Sequence, residues 1–140
     1  MTGEFFHNMD EKGRLFFPNK LREEIGECFY VTKGLDGCLF VYSVEDWAKL
    51  EDRLKALPLS KARNLQRFFI SGATQCQCDS HGRILIPSNL REYASLEKEI
   101  CITGVADRAE IWNSDKWRQL SGSITDNPEE IAKVMEELGF

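Results

Sequence analysis

Apolar and polar residues alternate with a period of two in some stretches of the chain and with a helical period in others, and the two regimes interleave from end to end. Residues 3–9 predict a strand with Phe5, His7 and Met9 on one face and Phe6 and Asn8 on the other. Leu15-Phe16-Phe17 and Ile84-Leu85-Ile86 are short β-prone triplets, and residues 28–32, 38–42, 100–103 and 109–112 are β-branched or aromatic runs of strand length. Helical spacing takes over at 18–25, where Leu21 and Ile25 stand four apart and Gly26 follows. Ser43 with Asp46 forms a capping-box-like start to a helix whose stripe is Trp47, Leu50, Leu54 and Leu57, ending at Pro58. Ser60 is placed to cap a helix over 61–70 with Leu65, Phe68 and Phe69 on its apolar face, and Ser114, Trp117 and Leu120 mark a shorter helix. A polar break at 121–126 precedes a last helix, with Asn127 as cap, Pro128 in the first turn, Glu129 and Glu130 at the positive end of the dipole, and Ile131, Val134, Met135 and Leu138 as its stripe.

This pattern is written twice. DEKGRLFFPNKLRE at 10–23 recurs as DSHGRILIPSNLRE at 79–92, so Asp10, Gly13, Arg14, Pro18, Leu21, Arg22 and Glu23 return as Asp79, Gly82, Arg83, Pro87, Leu90, Arg91 and Glu92. In each copy the aspartate can bond its own backbone two residues on, and the glycine supplies the positive φ of a tight reversal. The copies therefore predict strand, turn, strand, helix, with Arg14 or Arg83 at the exit of a hairpin tip. A half of this length is near the lower limit of independent stability, so the halves are expected to share one core with interleaved strands. The expected division is a first unit at 3–58, a linker helix at 59–71, a second unit at 72–120 and a helical tail at 121–140. The linker helix has no expected equivalent after the second copy, and the tail falls outside the duplication.

Charge changes the picture locally rather than globally. The net charge of −5 argues against indiscriminate nucleic-acid binding, but the acidic residues concentrate at 45–52, 97–99 and 129–137, leaving the tips and residues 61–67 relatively basic. The five cysteines, Cys28, Cys38, Cys76, Cys78 and Cys101, have no disulfide-scaffold spacing and fit free thiols in a reducing compartment. Cys76, Cys78 and His81 suggest a metal set, yet no fourth ligand follows and a half-buried strand explains the alternation, so no metal is expected. The N-terminal residues do not have the pattern of a signal peptide and no run approaches a membrane span, so a soluble, cytoplasmic protein without membrane contact is expected.

An enzyme is disfavoured: the chain has no Walker loop, no G-x-S-x-G and only two histidines, and Asp10 and Asp79 are accounted for by their turns. No cofactor and no small-molecule substrate are expected. The tip arginines admit two compatible readings. One is an ion pair from Asp10 to Arg14 and from Asp79 to Arg83 that braces the turn, where exposed pairs contribute little. The other is a planar donor suited to phosphate or to guanine O6 and N7. The candidate DNA-binding residues are thus Arg14, Lys12, Arg83 and His81, held by the turn-forming Asp10, Gly13, Asp79 and Gly82; His81, in place of the first copy's lysine, leaves the second tip either weaker or sensitive to pH near neutrality. Trp47 and Trp117 lie on helical stripes and are read as packing residues rather than a base-stacking platform.

The doubled D-x-x-G-R turn with its apolar triplet, proline and L-R-E, followed by Gly34 to Tyr42 (GLDGCLFVY) and a tryptophan helix, resembles the MraZ family of AbrB-like, swapped-hairpin transcription factors over residues 3 to about 120. The resemblance implies an α+β fold: two duplicated AbrB-like β-hairpin/helix units forming one pseudo-two-fold, β-barrel-like body with peripheral helices. It also implies a nucleoid-associated, ring-shaped homo-oligomer that binds tandem repeats in double-stranded promoter DNA and represses the division and cell-wall gene cluster. The alternative is an AbrB-like oligomeric protein-interaction module of the antitoxin type, in which residues 127–140 would engage a partner, although such chains usually carry one copy of the unit.

Overall fold

Burial, not proximity along the chain, decides which strands pair. The computed structural model describes residues 1–140 and contains strands β1 (Glu4–Asn8), β2 (Arg14–Phe16), β3 (Cys28–Lys33), β4 (Leu39–Ser43), β5 (Thr74–Gln77), β6 (Arg83–Leu85), β7 (Glu99–Val105) and β8 (Arg108–Asn113). Six form an antiparallel sheet in the order β1-β7-β8-β4-β3-β5, and β2 pairs with β6 in a separate two-stranded ribbon. The expected local hairpins survive only at their tips, where Met9 bridges Leu15 and the Asp10 N–H donates to the Arg14 carbonyl at 2.9 Å. Beyond the tip β1 departs to β7 and β2 to β6. The cause is in the triplets: Leu15 and Ile84 must be buried, each triplet is closed by a proline, and each is the other's apolar partner.

The large sheet is open, with β1 and β5 as its edges, which corrects the barrel-like expectation. Closure is unnecessary because other layers cover both faces. Alternation along the strands sends Leu39, Val41, Ile100, Ile102 and Ile111 to one side, where they pack with Leu15, Phe17, Ile84 and Ile86 of the ribbon segments. Leu21 and Ile25 of α1 (Asn19–Ile25) and Leu90 of α4 (Ser88–Tyr93) complete that core. Phe40, Cys101 and Trp112 point to the other side and meet Tyr42, Phe69, Trp117 and Leu120. Trp47 is buried and stacks on Tyr30 at 5.1 Å between centroids, so it packs, as its place on a stripe indicated.

The remaining helices are α2 (Val44–Ala56), α3 (Leu59–Phe69), α5 (Ser114–Thr125) and α6 (Pro128–Glu137). Ser43 caps α2 as its sequence predicts, its Oγ accepting from the Asp46 N–H at 3.1 Å. The other caps differ. Pro58, not Ser60, precedes α3, since a proline's fixed φ suits a helix start and its missing N–H costs nothing there. Asn113, just before Ser114, caps α5, accepting from the Lys116 N–H at 3.1 Å. The predicted break at 121–126 does not occur before Thr125: Ser123 satisfies its hydroxyl on the Leu120 carbonyl at 2.8 Å, and the helix runs on. Asn127 holds the N-cap position of α6 as expected, but its side-chain amide donates back to the Ser123 carbonyl at 2.8 Å and makes no cap bond to the helix.

The expected last helix is present as α6, and in chain order it succeeds α5 as α3 succeeds α2. Unlike α3, which buries Ala62, α6 buries none of its residues, and Ile131, Val134, Met135 and Leu138 are all exposed. No helix is long and apolar enough to cross a membrane.

Candidate nucleic-acid interface

Each tip is built by one aspartate. Asp10 Oδ1 accepts from the backbone N–H groups of Lys12 at 3.0 Å and Arg14 at 2.9 Å, and Oδ2 accepts from Arg14 Nε at 2.7 Å. Gly13, at φ +87°, closes the turn by donating to the Asp10 carbonyl at 3.0 Å. The second tip repeats this: Asp79 Oδ1 accepts from His81 N at 2.8 Å and Arg83 N at 2.9 Å, and Oδ2 from Arg83 Nε at 3.1 Å, with Gly82 at φ +77°. The Arg14 backbone N–H, foremost, holds the Asp10 carboxyl below the usual aspartate range, and that of Arg83 does the same for Asp79. Both carboxylates are therefore committed to the turns. Each arginine spends only Nε on its aspartate and keeps both terminal amino groups without a protein partner.

Register places the two arginines on one surface. In the ribbon Arg14 pairs with Leu85, Leu15 with Ile84, and Phe16 with Arg83. Paired residues of an antiparallel ladder share a face and successive residues alternate, so Leu15 and Ile84 point into the core while Arg14, Phe16, Arg83 and Leu85 point outward. The tips lie at opposite ends, because Ile86 N donates to the Gly13 carbonyl and Phe17 N to the Gly82 carbonyl, both at 2.9 Å. Two rungs separate the arginines, about 7 Å along the strands at ~3.4 Å per residue. Leu85, opposite Arg14 on the same face, is 57% exposed.

Lys12 and His81 occupy equivalent exposed positions on the turns. His7 adjoins this surface, edge-on to the Phe16 ring at 5.3 Å, as a half-buried strand residue. The candidate metal set is dispersed: Cys76 is in the core with its thiol pushed up to about 12 by burial, Cys78 is half-buried and His81 is at the tip. No group of three or more His, Cys, Asp or Glu side chains is placed to hold a metal ion.

Two residues beside the tips were missed in the sequence, Arg22 and Arg91. A Cβ placed on Gly13 would meet Arg91 Cζ at 2.7 Å, and one on Gly82 would meet Arg22 Nη2 at 2.9 Å. Each guanidinium therefore reaches across to the tip of the other copy. The signal was present, since L-R-E recurs in both copies, but an arginine on a short helix reads as a solvated face.

The sequence model of the family described as "MraZ protein, putative antitoxin-like" matches this chain twice in tandem, over residues 1–68 and 69–135. A protein of Alkaliphilus metalliredigens named transcriptional regulator MraZ is 55% identical over 140 residues, covering 99% of this chain and 98% of its own length. Relatives of the same name from Halothermothrix orenii and Caldicellulosiruptor saccharolyticus are 53% and 52% identical, covering 99% and 100% of this chain and 98% and 99% of their own.

Proposed function

The chain belongs to the MraZ family, whose members are named as transcriptional regulators rather than enzymes, and we propose that it binds double-stranded DNA sequence-specifically through the ribbon carrying Arg14 and Arg83. The observation that carries this is the shared outward face: two arginines, each tethered at Nε and unpaired at its terminal amino groups, on an antiparallel ribbon. A two-stranded ribbon fits the major groove, and an arginine fork matches guanine O6 and N7 or a phosphate. Lys12 and His81 flank the arginines, and Asp10, Gly13, Asp79 and Gly82 fix their geometry. The brace and the DNA contact are compatible, because they use different nitrogens of the same guanidinium.

The finer function follows the family resemblance: repression of the division and cell-wall gene cluster, by binding tandem promoter repeats, in the cytoplasm at the nucleoid. The duplicated units are taken as a pseudo-two-fold pair. In support, β8 and β4 are neighbours at the middle of the large sheet, and β1 and β5, which precede the two motifs, are its edges.

A homo-oligomeric ring supplies what one chain lacks. With a net charge of −5, a single chain neutralises few phosphates, whereas linked tips raise overall affinity by about 10² to 10⁴-fold. The exposed stripe of α6 is backed by five acidic residues at 126–140 against one basic. Residues 53–67 carry Arg53, Lys55, Lys61, Arg63 and Arg67 and no acid, with Leu57 and Leu59 exposed. An α6 seated on the α2–α3 corner of the next copy is a heterologous contact, which generates rings when its rotation closes.

The test is a mobility shift with the upstream region of the protein's own gene: wild-type protein should bind it and the Arg14→Ala, Arg83→Ala double substitution should not. The uncovered α6 stripe also suits an antitoxin-type module that engages a different protein. Deleting residues 127–140 separates the two: loss of oligomer and of DNA avidity supports the ring, and retention of both supports the partner-binding module.

A further inference from the structure

Resting on the ribbon as the DNA-binding element, we propose that Arg22 and Arg91 are positioning residues acting crosswise, Arg91 setting the tip that bears Arg14 and Arg22 setting the tip that bears Arg83. The two glycines show why. Their positive φ favours glycine already, but a side chain at either position would also collide with a guanidinium from the opposite half, at 2.7 Å for Gly13 with Arg91 and 2.9 Å for Gly82 with Arg22. The absent side chain is thus replaced by a planar cation lying against the backbone of the tip.

Packing, rather than hydrogen bonding at Nε, holds these planes in place. Nε of Arg22 and Nε of Arg91 are both buried without a partner. The Arg22 side chain is 16% exposed, with Nη1 3.6 Å from Glu27 Oε2 and its Cζ 5.7 Å from the centre of the Phe16 ring. Phe16 faces Arg83 across the ribbon, and Gly82 precedes Arg83 in the chain. Arg22 therefore packs against a residue on each side of the arginine it positions. Arg91 lines a cleft with Asp10 and Glu11, on the tip opposite its own half. The anchoring aspartate fixes each tip from within its half, and the guanidinium fixes it from the other. Orientation of Arg14 thus depends on the second unit and that of Arg83 on the first.

Crossed substitutions in the full-length protein test this, measured as affinity for a duplex of the upstream region of its own gene. Arg91→Ala should weaken binding about tenfold, should add nothing to Arg14→Ala, and should multiply with Arg83→Ala; Arg22→Ala should do the reverse. Arg91→Lys should resemble Arg91→Ala, because lysine keeps the charge and loses the plane. If Arg91→Lys binds like wild type, or if Arg91→Ala multiplies with Arg14→Ala and lowers the salt slope by about 1, the arginine is a direct phosphate contact and the positioning role is wrong. Normal affinity in Arg14→Ala, Arg83→Ala would instead remove the ribbon, and the brace with it. A DNA-free readout stands beside these. Arg91→Lys should shift the backbone amide signals of Gly13 and Arg14 while leaving Gly82 and Arg83 in place, and Arg22→Lys should give the mirror result. Shifts confined to the substituted half would overturn the proposal.

Discussion

Leu15 faces Ile84 across the centre of the two-stranded ribbon, and each is 1% exposed. They come from different copies of the motif, so neither half can bury its own triplet alone. Residues 1–58 expressed by themselves should therefore fail to give a cooperatively folding monomer, as followed by thermal melting. In the full chain Leu15→Ala should cost about 2–5 kcal/mol, the range for a buried leucine truncated to alanine. An isolated half as stable as the whole would rule out the shared core.

Removing the tip arginines should separate binding from folding. Arg14→Ala should reduce affinity for specific DNA by ~10 to 100-fold, the equivalent of one bidentate contact at roughly 1–3 kcal/mol, and Arg83→Ala should act likewise but less. Melting temperature should barely move, because the Asp10 bonds to the Lys12 and Arg14 amides remain and exposed pairs contribute little. A large loss of stability would make the arginines structural braces and nothing more.

Acid should disorder the tips late. The Asp10 and Asp79 carboxyls are held below the usual 3.8, chiefly by the Arg14 and Arg83 amides. A folded value below the unfolded one means that the stabilisation is fully present above the unfolded value and is lost as pH falls through the folded one. The amide signals of Lys12 and His81, which donate to these carboxylates, should titrate with midpoints under 3.8. A midpoint at or above that value would contradict the tip geometry.

Spacing of the DNA repeats should matter as much as their sequence. If neighbouring subunits present tips to one side of the duplex, repeats belong about one helical turn, roughly 10 base pairs, apart. Inserting about half a turn should remove most of the avidity, and about a full turn should restore part of it. Equal binding by an isolated repeat and by the array would exclude reading by neighbouring subunits.

The ring contact has its own test. Ile131→Asp with Val134→Asp on α6, or Leu59→Glu at the start of α3, should each lower the mass measured by light scattering, because a heterologous contact fails from either side. An unchanged mass in both variants would leave α6 for some other partner.

The turns were legible because their chemistry is local. Asp10 and Gly13 specify a reversal wherever they occur, and Ser43 with Asp46 specifies a helix start. Strand pairing was less legible, since alternation tells which face of Leu15 is buried and not which strand lies beside it. Residues 121–126 read as a break because small polar residues favour caps and turns, yet an established helix can absorb them when Ser123 finds a carbonyl within its own turn. Arg22 and Arg91 escaped notice for a related reason: their importance lies in a contact between halves, which no spacing within one half records.

The pairing of β1 with β7, Glu4 opposite Thr103, has a consequence for synthesis. β1 must wait for a partner strand made some hundred residues later. At ~5–20 residues per second that is about 5–20 s, during which Phe5 and Phe6 have no sheet to join. Non-local pairing of this kind is also the slow kind once the chain is complete. A ribosome pause before residue 99 would prolong the time for which β1 stands unpaired.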